Sequence, residues 1–129
     1  MLKDAPVVPY IPATDIQRAR NFYEKQVGLV AREEAAGGVV YECAGGSWIF
    51  LYQSSGAGTS QASQAFWQVQ DVEREVAELR SRGVVFEEYD RPGGLKTVNG
   101  ISIGGGVKAA WFKDSEGNIM ALIQNAPGT

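Results

Sequence analysis

The sequence has no histidine, and one of its 129 residues is cysteine. Without imidazole there is no Ser-His-Asp or Cys-His activation of a nucleophile and no HExxH zinc site. A single thiol cannot close an internal disulfide, and it excludes zinc ribbons and CxxC redox chemistry. Net charge is small, with 12 basic against 15 acidic residues, so the clustered basic face of a nucleic-acid binder is not expected. Long apolar runs are missing as well. The longest aliphatic-aromatic stretch, Trp48-Ile49-Phe50-Leu51-Tyr52, falls far short of the roughly 20 residues a spanning helix needs. Met1 to Asp4 carries no apolar segment and is followed by Pro6 and Pro9, so no secretory signal is expected. These absences predict a cytoplasmic protein with neither nucleic acid nor membrane as partner. Carboxylate, tyrosine and lysine chemistry stays open.

What the sequence does hold is glycine, 16 residues, and aromatic rings, as three Trp, five Tyr and five Phe. Its length suits one domain, 1–129, able to fold without a staple. Residues 7–13 are apolar and read as a strand. Asp15 is placed to cap a helix whose apolar stripe is Ile16, Ala19, Phe22, Tyr23 and Val27, closed by Gly28. Strands follow at 29–33, 39–43 and 47–53, joined by glycine turns. Ser54 to Ser60 is a polar, flexible connector. The pattern then recurs. Residues 64–70 alternate as a strand, and Asp71 caps a helix with Val72, Val76 and Leu79 on one face, ended by Gly83. Further strands are expected at about 84–89, about 97–103, 107–113 and 118–124.

The chain therefore reads β-α-β-β-β twice, as an α+β fold of two modules, 5–54 and 62–126, with a linker at 55–61. Asp15 and Asp71 lie 56 residues apart, and Gly46-Ser47 with Gln53 recurs as Gly117-Asn118 with Gln124 at an offset of 71. Each copy leaves one sheet face uncovered, which pairing would bury. The stretches Ala13-Thr14-Asp15, Asn21-Phe22-Tyr23-Glu24, Val27-Gly28-Leu29, Phe66 to Asp71 and Trp111-Phe112-Lys113-Asp114-Ser115-Glu116-Gly117-Asn118 resemble the vicinal oxygen chelate superfamily. That group includes glyoxalase I, bleomycin-resistance proteins and extradiol dioxygenases.

The resemblance implies paired βαβββ modules whose sheets curl around a cavity, and family enzymes hold a divalent metal there. It also implies a homodimer. The four positions that would carry the metal ligands are Val8, Phe50, Gln64 and Ala121. Three have no donor atom and the fourth is a neutral amide, whereas a divalent ion needs several converging donors. No metal and no cofactor are therefore expected.

Strand side chains alternate faces. Residues in phase with those positions point into the cavity and give a ligand-binding set of Tyr10, Trp48, Phe50, Tyr52, Gln64, Phe66, Gln68 and Ala121. Ile11, Ala13, Ile49, Leu51, Trp67, Val69, Met120 and Leu122 fall on the helix side. An aromatic concavity with few polar groups suits a small aromatic or apolar molecule. The rings could instead fill the space or face a second subunit. Cys43 reads as a small apolar filler, Glu87 to Asp90 as a solvated strand end, and Glu42 and Glu116 as surface charges. The expected function is metal-free binding of an aromatic or apolar compound, similar to the bleomycin-resistance branch. The alternative is a superfamily enzyme, a lyase or isomerase, that works without the family metal through tyrosine and glutamate. Its catalytic residues are not identifiable from the sequence.

Overall fold

The structure, a computed structural model, describes residues 1–35 and 37–127. Its first half builds strand β1 (Tyr10–Ala13), helix α1 (Ile16–Asn21), β2 (Ala31–Ala35), β3 (Gly38–Glu42) and β4 (Trp48–Gln53). The second builds β5 (Ser63–Gln68), helix α2 (Val72–Ser81), β6 (Ile101–Gly104), β7 (Val107–Lys113) and β8 (Ile119–Gln124). The strand orders are β1-β4-β3-β2 and β5-β8-β7-β6. In each sheet the first strand runs parallel to the last, and the other pairs are antiparallel. The two halves thus repeat one βαβββ topology. Among the described residues the two sheets share no backbone pairing and do not close on each other.

Both helices start as the caps require. The Asp15 carboxylate accepts from the Arg18 N–H and Asp71 from the Arg74 N–H, each at 3.1 Å, contacts worth about 1 kcal/mol apiece. α1 differs from the single long helix expected. It ends at Asn21, and a π turn (Phe22–Gln26) carries the chain on, with the Val27 N–H donating to the Phe22 carbonyl. The wider turn lets the adjacent Phe22 and Tyr23 both face the core, where both are buried.

The helix-side strand residues meet both helices in one continuous core. Ile11, Ala13, Ile49, Leu51, Met120 and Leu122 are buried in it, and Trp67 and Val69 lean against it. Phe112 is its junction, with Phe22 of the first half 6.1 Å from its ring centre and Trp67 and Phe86 of the second at 6.3 and 5.6 Å.

The turn 114–118 joins the halves by polar contacts. Arg18 makes a two-armed ion pair to Glu116, at 2.8 and 3.0 Å. The Asp15 N–H donates to the same carboxylate at 2.8 Å. Asn118 donates to the Pro12 carbonyl at 2.7 Å, and the Tyr23 hydroxyl donates to Asp114 at 2.5 Å. Glu116 is therefore not the surface charge expected, since its side chain is wholly buried. Burial alone would raise its carboxyl. The hydrogen bonds from Arg18, the Asp15 amide and Ser115 outweigh that and hold it at about 2.

The linker is also less free than its composition suggests. The Gly58 N–H donates to Asn118 at 3.0 Å, and a Cβ at Gly58 would collide with the Glu116 carbonyl. The strand expected at about 84–89 is reduced to a bridge between Phe86 and Phe112, because β7 is already paired to β6 along its first four residues.

Candidate functional site

A groove of about 600 Å³ lies where the start of β4 faces β5. Trp48, Phe66 and Trp67 are among its lining residues, with Val7 and Pro9 as aliphatic wall and Gln68 as a polar group; the Trp67 ring itself stacks on Phe112. No charged side chain reaches it. The Gly45-Gly46 turn, with φ of 68° and 74°, returns the chain so that Cys43 and Ser47 sit at the groove mouth beside Trp48. Cys43 is partly exposed there rather than a buried filler. Phe66 is 47% exposed, which costs apolar surface unless something covers it.

The concave residues divide into two groups, because the sheets are separate. On the first sheet the Tyr10 ring lies against Tyr52, centres 3.7 Å apart and planes tilted by 31°, and 5.6 Å from Phe50. These three do not line the groove. Phe50 lies over Gly38, where a Cβ would strike both its ring and the Leu51 carbonyl. Trp48, Phe66 and Gln68 do line the groove. Gln64 does not, and its amide donates to the Ala62 carbonyl at 3.1 Å. Ala121 is buried, in register with Phe66 on one side and Trp111 on the other.

Trp111 is an aromatic of this face that alternation from the ligand positions did not reach. Its signal was present: the strands pair symmetrically about the 114–118 turn, which sets 111 opposite 121. Tyr89 stands edge-on to Trp111, 5.7 Å between ring centres, and the Arg91 guanidinium lies 5.1 Å above the Tyr89 ring. Burial, then Glu87, raises the Tyr89 phenol above its ordinary range, against Arg91.

These two residues belong to an arm formed by 88–100. Thr97 and Tyr89 close it with two hydrogen bonds of 2.8 Å. Glu88 accepts from the Thr97 hydroxyl at 2.9 Å and from the Gly100 N–H. Glu88 orders this arm, so the acidic run is not simply a solvated strand end. Glu87 reaches Lys113 at 3.7 Å.

The family metal set does not fit here. Val8, Phe50 and Ala121 offer no donor. Among the described residues no three cysteine or acidic side chains converge where an ion could be held. Tyrosine beside a carboxylate does occur, as Tyr23 with Asp114 and Tyr41 with Glu24 at 2.8 Å. Tyr23 and Tyr41 belong to the core and neither lines the groove. Burial, then the partner carboxylate, pushes both phenols up, away from acid-base work near neutrality.

No family model and no curated protein matches the sequence. Solved structures do match the fold. TnmS3, an antibiotic binding protein from Streptomyces sp. CB03234, superposes with a TM-score of 0.67 at 20% identity over 95% of this chain and 98% of its own. Lactoylglutathione lyase from Agrobacterium tumefaciens gives 0.68 at 17% identity over 95% and 94%. The fosfomycin resistance protein FosX from Listeria monocytogenes gives 0.70 at 14% identity over 96% and 95%. The chain has the glyoxalase/bleomycin-resistance-like fold.

Proposed function

We propose that this chain binds a small aromatic or apolar molecule in the groove between β4 and β5 and holds it without chemical change. One observation carries the reading. The groove is lined by the aromatic residues Trp48 and Phe66, aliphatic groups and a single side-chain amide, and no charged residue lines it. Its volume falls within the range of drug-sized sites. Rings stacking on Phe66 or Trp48 would add roughly 0.5–1.5 kcal/mol each beyond area burial, and Gln68 can orient a carbonyl or hydroxyl. The antibiotic-binding protein TnmS3 shares the fold and supports the reading by analogy only. A sequestering role in the cytoplasm, as a homodimer and without a metal, completes it.

The enzyme alternative calls for a carboxylate beside a tyrosine in the cavity. In the hydrogen-bonded pairs of that kind among the described residues, Tyr23 with Asp114 and Tyr41 with Glu24, both tyrosines belong to the core. Titration of the protein with N-phenyl-1-naphthylamine, an uncharged planar probe, tests the proposal. Saturable quenching of the three tryptophans with unit stoichiometry is expected. Quenching that rises linearly without saturation would remove the reading's support.

A further inference from the structure

Four consecutive residues of β5, Ala65 to Gln68, line the groove. Side chains alternate faces along a strand, so either face of β5 presents only every second residue. Ala65 and Trp67 turn to the core, where the Trp67 ring stacks on Phe112. Phe66 and Gln68 turn the other way, and both are exposed. A recess that touches all four therefore runs along the edge of the strand, against its backbone. That edge is open. β5 is an end strand of its sheet, with β8 as its one neighbour, and among the described residues no isolated bridge reaches it. Parallel strands bond through alternate residues. The Val69 N–H donates to the Ile123 carbonyl at 3.0 Å, so Trp67 and Val69 turn their backbone groups to β8. Phe66 and Gln68 turn theirs outward and give the groove two N–H donors and two carbonyl acceptors. The facing wall does not take them up. Pro9 has no N–H, and its carbonyl already accepts from the Phe50 N–H at 3.0 Å.

Resting on the binding function proposed above, we infer that the ligand is a peptide-like compound, uncharged and extended, that adds a strand to the open edge of β5. Its backbone amides pair with those of Phe66 and Gln68, and an apolar or aromatic side chain lies on Phe66 and Trp48. In strand addition the main-chain bonds supply affinity and the flanking side chains supply specificity. The four lining residues span roughly 13 Å, the length of about four extended residues. No charged residue lines the groove, so a charged side chain buried there would lose hydration without a partner. That selects an uncharged occupant.

The probe is the blocked peptide acetyl-Ala-Phe-Ala-Val-amide, titrated into the whole chain loaded with N-phenyl-1-naphthylamine. It is expected to displace the fluorophore. Amide hydrogen exchange followed by NMR then reads the edge itself. In the free chain the Phe66 and Gln68 amides should exchange fast, while those of Trp67 and Val69 are protected. Saturating peptide should slow the Phe66 and Gln68 amides by about tenfold or more. Gln68→Pro removes an outward N–H and no bond to β8. It should bind the peptide roughly five- to tenfold more weakly than Gln68→Ala, which lacks the same side-chain amide but keeps the N–H. Should the proline variant fail to fold, the exchange measurement on the unaltered chain decides alone. A peptide that fails to displace the fluorophore, or displaces it and leaves both amides exchanging freely, would overturn this inference while leaving the binding function standing. So would slow exchange of both amides in the free chain, because the edge would then already be covered, as by a second copy. Failure of both fluorophore and peptide to bind would overturn both.

Discussion

Replacing Glu116 by Gln keeps the shape of the side chain and removes its charge. The native carboxyl sits at about 2 instead of the usual 4.5. A difference of that size corresponds to about 3.4 kcal/mol of preference for the ionised form in the folded state. Arg18, its main partner, is 55% exposed, so solvent screening reduces the realised value to about 2 kcal/mol. The folded value lies below the unfolded one. The contribution is therefore complete above pH 4.5 and is lost as pH falls toward 2. At pH 3 roughly two-fifths of it should remain. Urea unfolding followed by tryptophan fluorescence, on both proteins at pH 7 and pH 3, measures this directly. Glu116→Gln should lower stability by about 2 kcal/mol at pH 7, or some 6–8 °C in Tm for a chain of this size. At pH 3 the gap between the two proteins should shrink to under about 1 kcal/mol. A gap below about 0.5 kcal/mol at pH 7, or one that does not change with pH, would refute the view that this buried carboxylate clamps the two halves together.

Other perturbations follow the same logic. Tyr23→Phe leaves the buried Asp114 short of one donor and should cost about 1–3 kcal/mol in urea unfolding. Gly38→Ala forces a Cβ against the Leu51 carbonyl and the Phe50 ring. It should cost about 1–3 kcal/mol and move the Phe50 ring resonances by NMR. Phe112→Ala empties the junction of the core and should cost about 3–5 kcal/mol. Phe66→Ala should barely change Tm, since the ring is nearly half exposed. In calorimetric titration it should weaken N-phenyl-1-naphthylamine binding roughly tenfold.

The repeat was legible because its signals are local. Aspartate caps, glycine stops and apolar periodicity at Val72, Val76 and Leu79 need no knowledge of distant chain. The helix-side face was legible for the same reason, since strict alternation sets Ile11, Leu51, Met120 and Leu122 together. What escaped depends on contacts remote in sequence. Glu116 lies in a polar turn and looks solvated until Arg18, 98 residues away, is folded onto it. The π turn at Phe22 answers to two adjacent rings that must both reach the core. The arm 88–100 is written in glycine, proline and mixed charge, so no period marks it, and its order comes from Thr97 and Glu88. The aromatic set was expected on one face, but alternation within a strand does not say whether two sheets close. Here they do not, so Tyr10, Phe50 and Tyr52 cluster apart from the groove that Trp48, Phe66 and Gln68 line.

A crystal structure of the chain grown with N-phenyl-1-naphthylamine tests the central claim most directly. The account predicts one probe molecule in the groove, its rings against Phe66 and Trp48 and its amine within hydrogen-bonding reach of Gln68. Probe density confined to another part of the surface, with the groove empty of it, would contradict that claim.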